Sequence, residues 1–462
     1  MDPQERFTLR DEMERKSMTL LIRNRWLSLL LMWGTGCALA GKQDEKNGLR
    51  STNELATKID HILNKAYENR RFAGLSIIVR RADQEILRNH YGYRDIENRI
   101  KPDDFTVYET GSFSKVFTRL LLALDTEISL QDSIRSYLPK TVTVPAPGGQ
   151  ELRIQDLALH TGFRFSVPCV PRPPKFESFE CFGFNADDEK ILDPYHDVTE
   201  EKLTQYVDAY GKMLLVAPGE EFPIPGNYYE YSNTGMALLG NILAKKNNES
   251  YEGLLKSRIL NPLDMNHTYV AMPCEDEESG ACRDLAKVYR SNADGSSWEQ
   301  SSLWHMNGMA GAGAIRSSLA DMGQFLAAEM SPSSDIPEDL RQGIRHSKTR
   351  LAEAENQIAR NLCGPLNPNQ TTCNSHTEPM YLGWPADSGR ITFFHGGQTG
   401  SSQSMIMISQ DEELGLVILT NSIPKSQNAE VTPHVPNNLA LCIFQLAGKP
   451  LGPGDACKAL DL

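Results

Sequence analysis

Strand-like segments lie at both ends of this chain while helix-like segments fill its middle, and this order constrains the fold more than any other feature. Two segments near the start, 73–80 and 85–92, predict a hairpin. Three more, 391–394, 405–408 and 415–420, follow near the end. We therefore expect an α+β fold, in which one mixed antiparallel sheet made from both termini is flanked by helices and carries an inserted helical lobe.

Helices are predicted where apolar residues recur at three- and four-residue spacing. In segment 233–246, for example, Met236, Leu239 and Leu243 share one side. The other predicted helices cover 53–68, 112–124, 152–159, 201–215, 251–260, 318–329, 338–361 and 436–446. Segment 168–197 is rich in proline and is expected to be an irregular insertion.

The N-terminus has the features of an export signal. Arg23 and Arg25 precede a short apolar run at 27–33, and small residues at 38 and 40 suit a signal peptidase. The run is too short for a membrane span, which needs about 20 apolar residues. We expect a signal peptide over 1–40, with 1–17 as an upstream extension.

A cysteine that follows an apolar run can instead carry the lipid of a bacterial lipoprotein. Gly34 stands where that pattern requires an aliphatic residue, so cleavage after Ala40 is favoured over lipidation at Cys37. Residues 41–52 then form a flexible leader, 53–449 one folded unit and 450–462 a C-terminal tail. The net charge of −13 disfavours nucleic acid and anionic membranes as partners.

The cysteines point to an oxidising compartment. Without Cys37, eight of the nine remain, and they fall in four near pairs. These are Cys169 with Cys181, Cys274 with Cys282, Cys363 with Cys373, and Cys442 with Cys457. The spacings do not resemble those of zinc sites, so no metal is expected, and disulfides place the protein in the periplasm or outside the cell.

The first candidate for chemistry is Ser112, with Lys115 three residues later. On a helix these positions share one face, with Cβ atoms about 5–6 Å apart. A serine hydroxyl becomes a useful nucleophile when a neighbour accepts its proton, and a lysine of lowered pKa can do so. A second S-x-x-K, Ser422 to Lys425, contains Pro424, which disrupts the helix that the pairing needs.

Two further segments carry candidate residues. Tyr231 can pass protons when a lysine lies beside it, while Asn233 offers an amide to substrate or simply caps a helix. His395 ends a predicted strand and precedes Gly396 and Gly397. Glycine lets a substrate backbone approach a strand edge, although His-Gly-Gly is equally typical of a plain turn.

In combination these motifs resemble the serine β-lactamase and penicillin-binding protein superfamily, over residues 53–449. The branch that they resemble most comprises class C β-lactamases, D,D-carboxypeptidase/endopeptidases and family VIII esterases. The supporting segments are 109–118, 129–132, 137–139, 159–162, 218–220, 231–235, 261–265, 382–384 and 395–400. A chain without G-x-S-x-G does not fit the ordinary α/β-hydrolases.

The resemblance implies a role for each residue. Ser112 is the nucleophile, Lys115 its proton acceptor, and Tyr231 the partner base and later acid. Asn233 contacts Lys115 and the substrate amide, and His395 stands where relatives often have the lysine of K-T-G. Gly397 belongs to the same substrate-binding strand, and the backbone amides of Ser112 and Gln398 form the oxyanion hole.

The resemblance also implies an acyl-enzyme mechanism without metal or organic cofactor. We further expect a monomer, without a stable membrane span. A β-lactamase is the first expectation. The alternatives are a D,D-peptidase acting on D-Ala-D-Ala peptides, an esterase, and a non-catalytic module that binds cell-wall fragments or drugs. Because His395 and Gly396 replace the lysine and threonine of K-T-G, we expect weaker carboxylate recognition and readier turnover of neutral esters.

Overall fold

A computed structural model gives the architecture of most of the chain. The described residues are 52–163, 169–171, 179–181, 193–216, 231–270, 283–292, 294–347, 392–409, 411, 413–425, 434–450 and 456–460. The predicted signal peptide, Cys37 and the leader up to residue 51 lie outside them. The chain divides into two compact units, 1–58 and 59–462, and the sheet and candidate site belong to the second.

Thirteen strands are described. They are β1 Gly74–Arg81, β2 Gln84–Gly92, β3 Val107–Glu109, β4 Cys169–Pro171, β5 Phe179–Cys181, β6 Thr268–Tyr269, β7 Tyr289–Ser291, β8 Trp298–Gln300, β9 Arg316–Ser318, β10 Thr392–Gln398, β11 Gln403–Ser409, β12 Leu414–Thr420 and β13 Ser422–Ile423.

Ten α-helices are described beside them. They are α1 52–68, α2 Ser114–Leu124, α3 Ile154–Ala158, α4 Glu200–Val216, α5 Asn233–Lys246, α6 Tyr251–Leu255, α7 Ala310–Gly313, α8 Leu319–Met330, α9 338–347 and α10 Val435–Leu446.

The main sheet confirms that the two ends of the chain pair with each other. Its order is β10-β11-β12-β1-β2, and every neighbouring pair is antiparallel. In β11 and β12 every residue is buried, because helices cover both faces of the sheet. Helices α2 to α9 come between β2 and β10 in the chain, as the α+β prediction requires.

The two faces of this sheet have different covers. A Cβ atom at Gly415 would meet Met330 of α8, whereas one at Gly396 would meet His434 at the start of α10. Gly397 is the next residue along β10, so a Cβ atom there would point to the opposite face, away from α10. It would meet Thr110, in the segment that carries Ser112. The candidate site therefore lies on the α8 side, at the β10 edge.

Some elements differ from the sequence predictions. Segment 251–260 is a short α-helix, α6, continued by a π-helical turn over Lys256–Leu260. The predicted irregular insertion contains the strand pair β4–β5, in which Cys169 stands opposite Cys181. Strand β10 continues through both glycines to Gln398, so His-Gly-Gly is a strand segment and not a turn.

A disulfide joins Cys442 to Cys457, as predicted. The predicted pairs 274/282 and 363/373 lie outside the described residues. In the part of the chain that the structure covers, no helix is long and apolar enough to cross a membrane.

Candidate active site

Ser112 lies in a tight turn where the chain leaves β3 and enters α2. The turn, Gly111–Phe113, is a 3₁₀ helix that continues directly into α2. Gly111 has φ +53, and a Cβ atom there would lie 2.7 Å from the backbone nitrogen of Gln398. Both the conformation and the close approach therefore require glycine at this position.

Hydrogen bonds to other elements fix this turn. The Thr110 hydroxyl donates to the Ile315 carbonyl at 2.7 Å, and the Ser404 hydroxyl donates to the Thr110 carbonyl at 2.7 Å. The Ser114 hydroxyl donates to Gly111 and accepts from the Ile315 amide. Ser112 is partly exposed while its neighbours are buried, so its hydroxyl remains accessible on a rigid support.

Lys115 reaches Ser112 as the helical spacing predicts. Its Nζ lies 2.9 Å from Ser112 Oγ and donates to the Ala312 carbonyl at 2.7 Å. The side chain is fully buried. Burial, together with the nearby Arg119 guanidinium, holds the pKa of the Lys115 ammonium well below its ordinary value. An uncharged Lys115 can accept the Ser112 proton.

Arg119 follows one helical turn after Lys115 and is also buried. Its Nε and a terminal nitrogen both donate to the Ala158 carbonyl, at 3.1 and 2.7 Å. A guanidinium does not lose its proton in proteins, so it is a fixed positive charge behind Lys115. The sequence analysis did not identify this residue, although its i+4 position on the predicted helix was visible.

Tyr231 also lies against Lys115. Lys115 Nζ is 4.8 Å from the centroid of the Tyr231 ring. The imidazole of His160 stacks on the same ring, with centroids 4.9 Å apart and planes 24° from parallel. The structure thus brings Tyr231 together with Ser112 and Lys115, although more than a hundred residues of sequence separate it from them.

Asn233 begins α5 two residues later. Its Nδ2 donates to the Tyr195 hydroxyl at 3.0 Å, and the preceding Ser232 caps the helix by accepting from the Gly235 amide at 2.9 Å. The cap is therefore Ser232 and not Asn233, which leaves the Asn233 amide for side-chain contacts. Its predicted contact with Lys115 stays a prediction, and Tyr195 is a neighbour that the sequence analysis missed.

Strand β10 borders the nucleophile turn at Gly397 and Gln398. A Cβ atom at Gly397 would lie 1.9 Å from the Thr110 carbonyl oxygen, so a side chain there has no space. The Thr399 amide donates to the carbonyl of Ser402, just before β11, and therefore points toward β11. Because antiparallel amides alternate, the Gln398 amide points to the free edge of β10, on the side of Ser112. That orientation suits its predicted oxyanion role.

His395 lies two residues before Gly397 and shares its face of the strand. The residue is buried, its Nδ1 donates to the Gly396 carbonyl at 2.5 Å, and its Nε2 has no hydrogen-bond partner among the described residues. Burial lowers the pKa of His395 to about 3. At neutral pH the imidazole is therefore uncharged and its Nε2 is an acceptor.

Two rival serine arrangements have no access to solvent. Ser76 contacts His90 Nδ1 at 2.8 Å, and His90 Nε2 contacts Asp104 at 3.2 Å, which has the connectivity of a Ser-His-Asp triad. However, Ser76 is completely buried in β1. Ser422 is completely buried in β13, which agrees with the rejection of its S-x-x-K motif. Over the described part of the chain, no cluster of acidic, His and Cys side chains suits a metal ion.

Comparisons with known proteins place this geometry in context. Protein flp of Staphylococcus aureus (strain MW2) is 22% identical over 395 residues, which is 84% of this chain and 67% of that protein. A β-lactamase of Providencia stuartii is 26% identical over 225 residues, which is 48% of each chain.

Two solved structures share the fold. The octameric penicillin-binding protein homologue from Pyrococcus abyssi has a TM-score of 0.61 at 21% identity, covering 85% of this chain and 78% of that one. The β-lactamase/D-alanine carboxypeptidase from Pseudomonas syringae has a TM-score of 0.58 at 19% identity, covering 85% and 99%. The sequence profile of the Beta-lactamase family matches residues 59–436. A profile match across most of the chain, together with this shared fold, shows that the protein belongs to the Beta-lactamase family.

Proposed function

We propose that this protein is a serine hydrolase that acts through an acyl-enzyme on Ser112, with β-lactams as its first substrate class. The observation that carries the proposal is the buried Lys115 amine, 2.9 Å from the Ser112 hydroxyl. A fully buried ammonium is unfavourable, so the uncharged amine is available to accept a proton at neutral pH. This arrangement provides an activated nucleophile.

The proposed reaction has two steps. Ser112 Oγ attacks the substrate carbonyl while its proton passes to Lys115, and the amides of Ser112 and Gln398 stabilise the oxyanion. That proton then passes from Lys115 through Tyr231 to the leaving nitrogen as the C–N bond breaks. Water hydrolyses the ester to Ser112, which restores the hydroxyl and releases the acid.

The β-lactam assignment rests on the family and on two relatives with β-lactamase in their names. A specific observation favours a second candidate, the hydrolysis of neutral esters. His395 is uncharged at neutral pH, and its buried Nε2 is an acceptor, so it has no charge to attract a substrate carboxylate. A substrate carboxylate placed against Nε2 would bring two hydrogen-bond acceptors together, which is unfavourable. Neutral esters, which have no carboxylate there, avoid this repulsion.

The experiment compares three substrates on the same preparation: nitrocefin, p-nitrophenyl butyrate and a D-Ala-D-Ala peptide. Ser112→Ala serves as the matched control, since it removes one oxygen atom. Rapid nitrocefin turnover supports a β-lactamase, ester turnover supports the second candidate, and peptide turnover supports a D,D-peptidase. Mass spectrometry that finds no acyl adduct on Ser112 with any of them would favour the non-catalytic binding module.

We also propose that the protein is exported to the periplasm or outside the cell. The Cys442–Cys457 disulfide supports this, because such bonds persist in oxidising compartments. N-terminal sequencing of the mature protein from a secreting host tests the location of the cleavage site. A mature N-terminus at Gly41 supports cleavage of a signal peptide after Ala40. A mature N-terminus at a lipid-modified Cys37 would instead show that the protein is an anchored lipoprotein.

A further inference from the structure

The turn after α3 holds a histidine in an unusual backbone conformation. His160 has φ +59 and is buried, which is uncommon for a residue other than glycine. Thr161 stabilises the turn: its hydroxyl donates to the Asp156 carboxylate at 2.9 Å and its amide to the Asp156 carbonyl at 3.0 Å. The surrounding structure therefore imposes a conformation that the isolated chain would not choose.

In this position His160 makes two contacts with the segment that carries Tyr231 and Asn233. Its Nδ1 accepts a hydrogen bond from the Ser232 amide at 2.9 Å. Its ring stacks on Tyr231 at 4.9 Å. Ser232 is the residue between the two predicted functional side chains, so one imidazole fixes both the backbone and the phenol ring.

We propose that His160 is a positioning residue that holds Tyr231 and Asn233 in their working geometry toward Ser112 and Lys115. The inference rests on the proposed function, because it concerns the proton transfers of the acyl-enzyme mechanism. His160 does not touch the reacting atoms. It acts through Tyr231, whose ring centroid lies 4.8 Å from Lys115 Nζ.

The role requires a neutral His160 with its proton on Nε2, because Nδ1 is already an acceptor. Burial acts on its pKa most strongly, and the charged or titratable groups that face it are Arg119, Lys115 and His395. All of these disfavour the imidazolium, so the pKa of His160 is held well below its ordinary value. The contact to Ser232 therefore persists throughout the neutral range.

Two substitutions separate the contacts. His160→Asn keeps an acceptor near Nδ1 and tolerates positive φ, but it loses the stacked ring. His160→Phe keeps a flat ring but leaves the buried Ser232 amide without its acceptor. If the hydrogen bond is the main anchor, H160N retains kcat within about tenfold, whereas H160F loses about a hundredfold, the usual effect of a misplaced group.

The matched control is His90→Asn, in β2 at the opposite edge of the sheet from β10. It also removes a histidine ring whose Nδ1 is hydrogen-bonded, and its kcat should equal that of the wild type. Should H160F fold and turn over the preferred substrate at the wild-type rate, the inference is wrong while the proposed function stands. If the wild type itself forms no acyl-enzyme, the proposed function fails and this inference fails with it.

Where H160F does not fold, His160→Gly replaces it, since glycine accepts the positive φ and leaves a cavity of imidazole size. Added imidazole should then raise the kcat of H160G at least tenfold. The unfolding temperature, measured with and without imidazole, shows whether imidazole only stabilises the fold. Restoration of kcat supports positioning through the ring. Reduced activity in H160G that imidazole does not improve would overturn the proposal.

Discussion

The side-chain nitrogen of Lys115 lies 2.9 Å from the hydroxyl oxygen of Ser112, and the lysine is completely buried while the serine is not. The difference in exposure separates their tasks. Burial keeps the amine uncharged and ready to accept a proton, and partial exposure keeps the hydroxyl within reach of a substrate. The three-residue spacing, across the 3₁₀ turn and the start of α2, places the two side chains on one face and brings them together.

Lys115→Met should abolish acylation while preserving the fold. Methionine fills similar space without a proton acceptor, so we expect kcat/KM to fall 10²- to 10⁴-fold, the usual contribution of a positioned base. Burial lowers the pKa of Lys115 in the folded state, so the unfolded chain binds the proton more tightly and the lysine destabilises the fold at neutral pH. The variant should therefore unfold at no lower temperature at pH 7.

Nitrocefin or ester hydrolysis checks the activity, and circular dichroism checks the unfolding temperature. The destabilisation caused by Lys115 disappears as the pH rises to the unfolded-state pKa of about 10.4. Any stability advantage of K115M should therefore shrink between neutral pH and that value. Wild-type activity in K115M would contradict the assignment of the base.

Arg119 should set the pH dependence of the reaction. Its guanidinium lowers the pKa of Lys115, and the reaction needs the uncharged amine. Removing the charge in Arg119→Met should therefore move the acid limb of kcat/KM to higher pH and reduce activity at neutral pH. Arg119→Lys keeps a positive charge and should leave the limb close to its wild-type position. Equal pH profiles for the two variants would contradict this electrostatic role.

The sequence predicted the features that depend on periodicity and spacing. The predicted helix at 233–246 matches α5, and the Ser112 and Lys115 pairing follows from helical geometry. Strands β11 and β12 of the main sheet were visible because they bury apolar runs on both faces. Strands β3, β6 to β9 and β13 were missed because two or three residues are too few to show an alternating pattern.

The missed parts of the candidate site depend on contacts between distant segments. His160 and Tyr195 have ordinary local sequences, and only the fold brings them next to Tyr231 and Asn233. Arg119 differs from them, because its place one helical turn after Lys115 could have been found from the predicted helix. The neutral state of His395 was also not predictable, because it depends on burial, which the fold alone decides. Pattern analysis can identify a candidate residue, but not the electric field around it.

His395 should not confer charge selectivity in the neutral range. Its pKa of about 3 means that the imidazole gains a proton only in strong acid. The ratio of kcat/KM for an anionic substrate, nitrocefin, to that for a neutral one, p-nitrophenyl butyrate, should therefore stay constant between pH 5.5 and 8. A ratio that rises severalfold toward pH 5.5, with a midpoint near the ordinary histidine value, would show that His395 titrates in solution.

Gly397 should tolerate no side chain. A Cβ atom there would lie 1.9 Å from the Thr110 carbonyl and 2.5 Å from Ser404 Oγ, so Gly397→Ala must push β10 away from the nucleophile turn. We expect loss of most activity and a destabilisation of about 1–3 kcal/mol, as for other overpacked positions. In Gly253→Ala, on α6, the new methyl group meets only flexible side-chain ends at 3.2 Å, so its stability should change by less than about 1 kcal/mol.

Chemical denaturation of the two glycine variants, together with ester hydrolysis, measures both effects. If G397A were as active and as stable as G253A, strand β10 would not lie against the nucleophile turn.

The Cys442–Cys457 disulfide should stabilise the protein without affecting its chemistry. It closes a loop with a sequence separation of 15, between α10 and the 3₁₀ turn Ala456–Leu460, and constrains the unfolded chain. A loop of this size is worth about 3 kcal/mol in the chain-entropy treatment. The double variant Cys442→Ala with Cys457→Ala should therefore lose about that much unfolding free energy. Its kcat/KM should stay within about twofold, because α10 covers the face of the sheet opposite Ser112. Denaturation curves with and without reductant check the result, because reductant should lower the stability of the wild type but not that of the double variant. A fall in kcat/KM of much more than twofold in the folded double variant would show that α10 affects the catalytic strand.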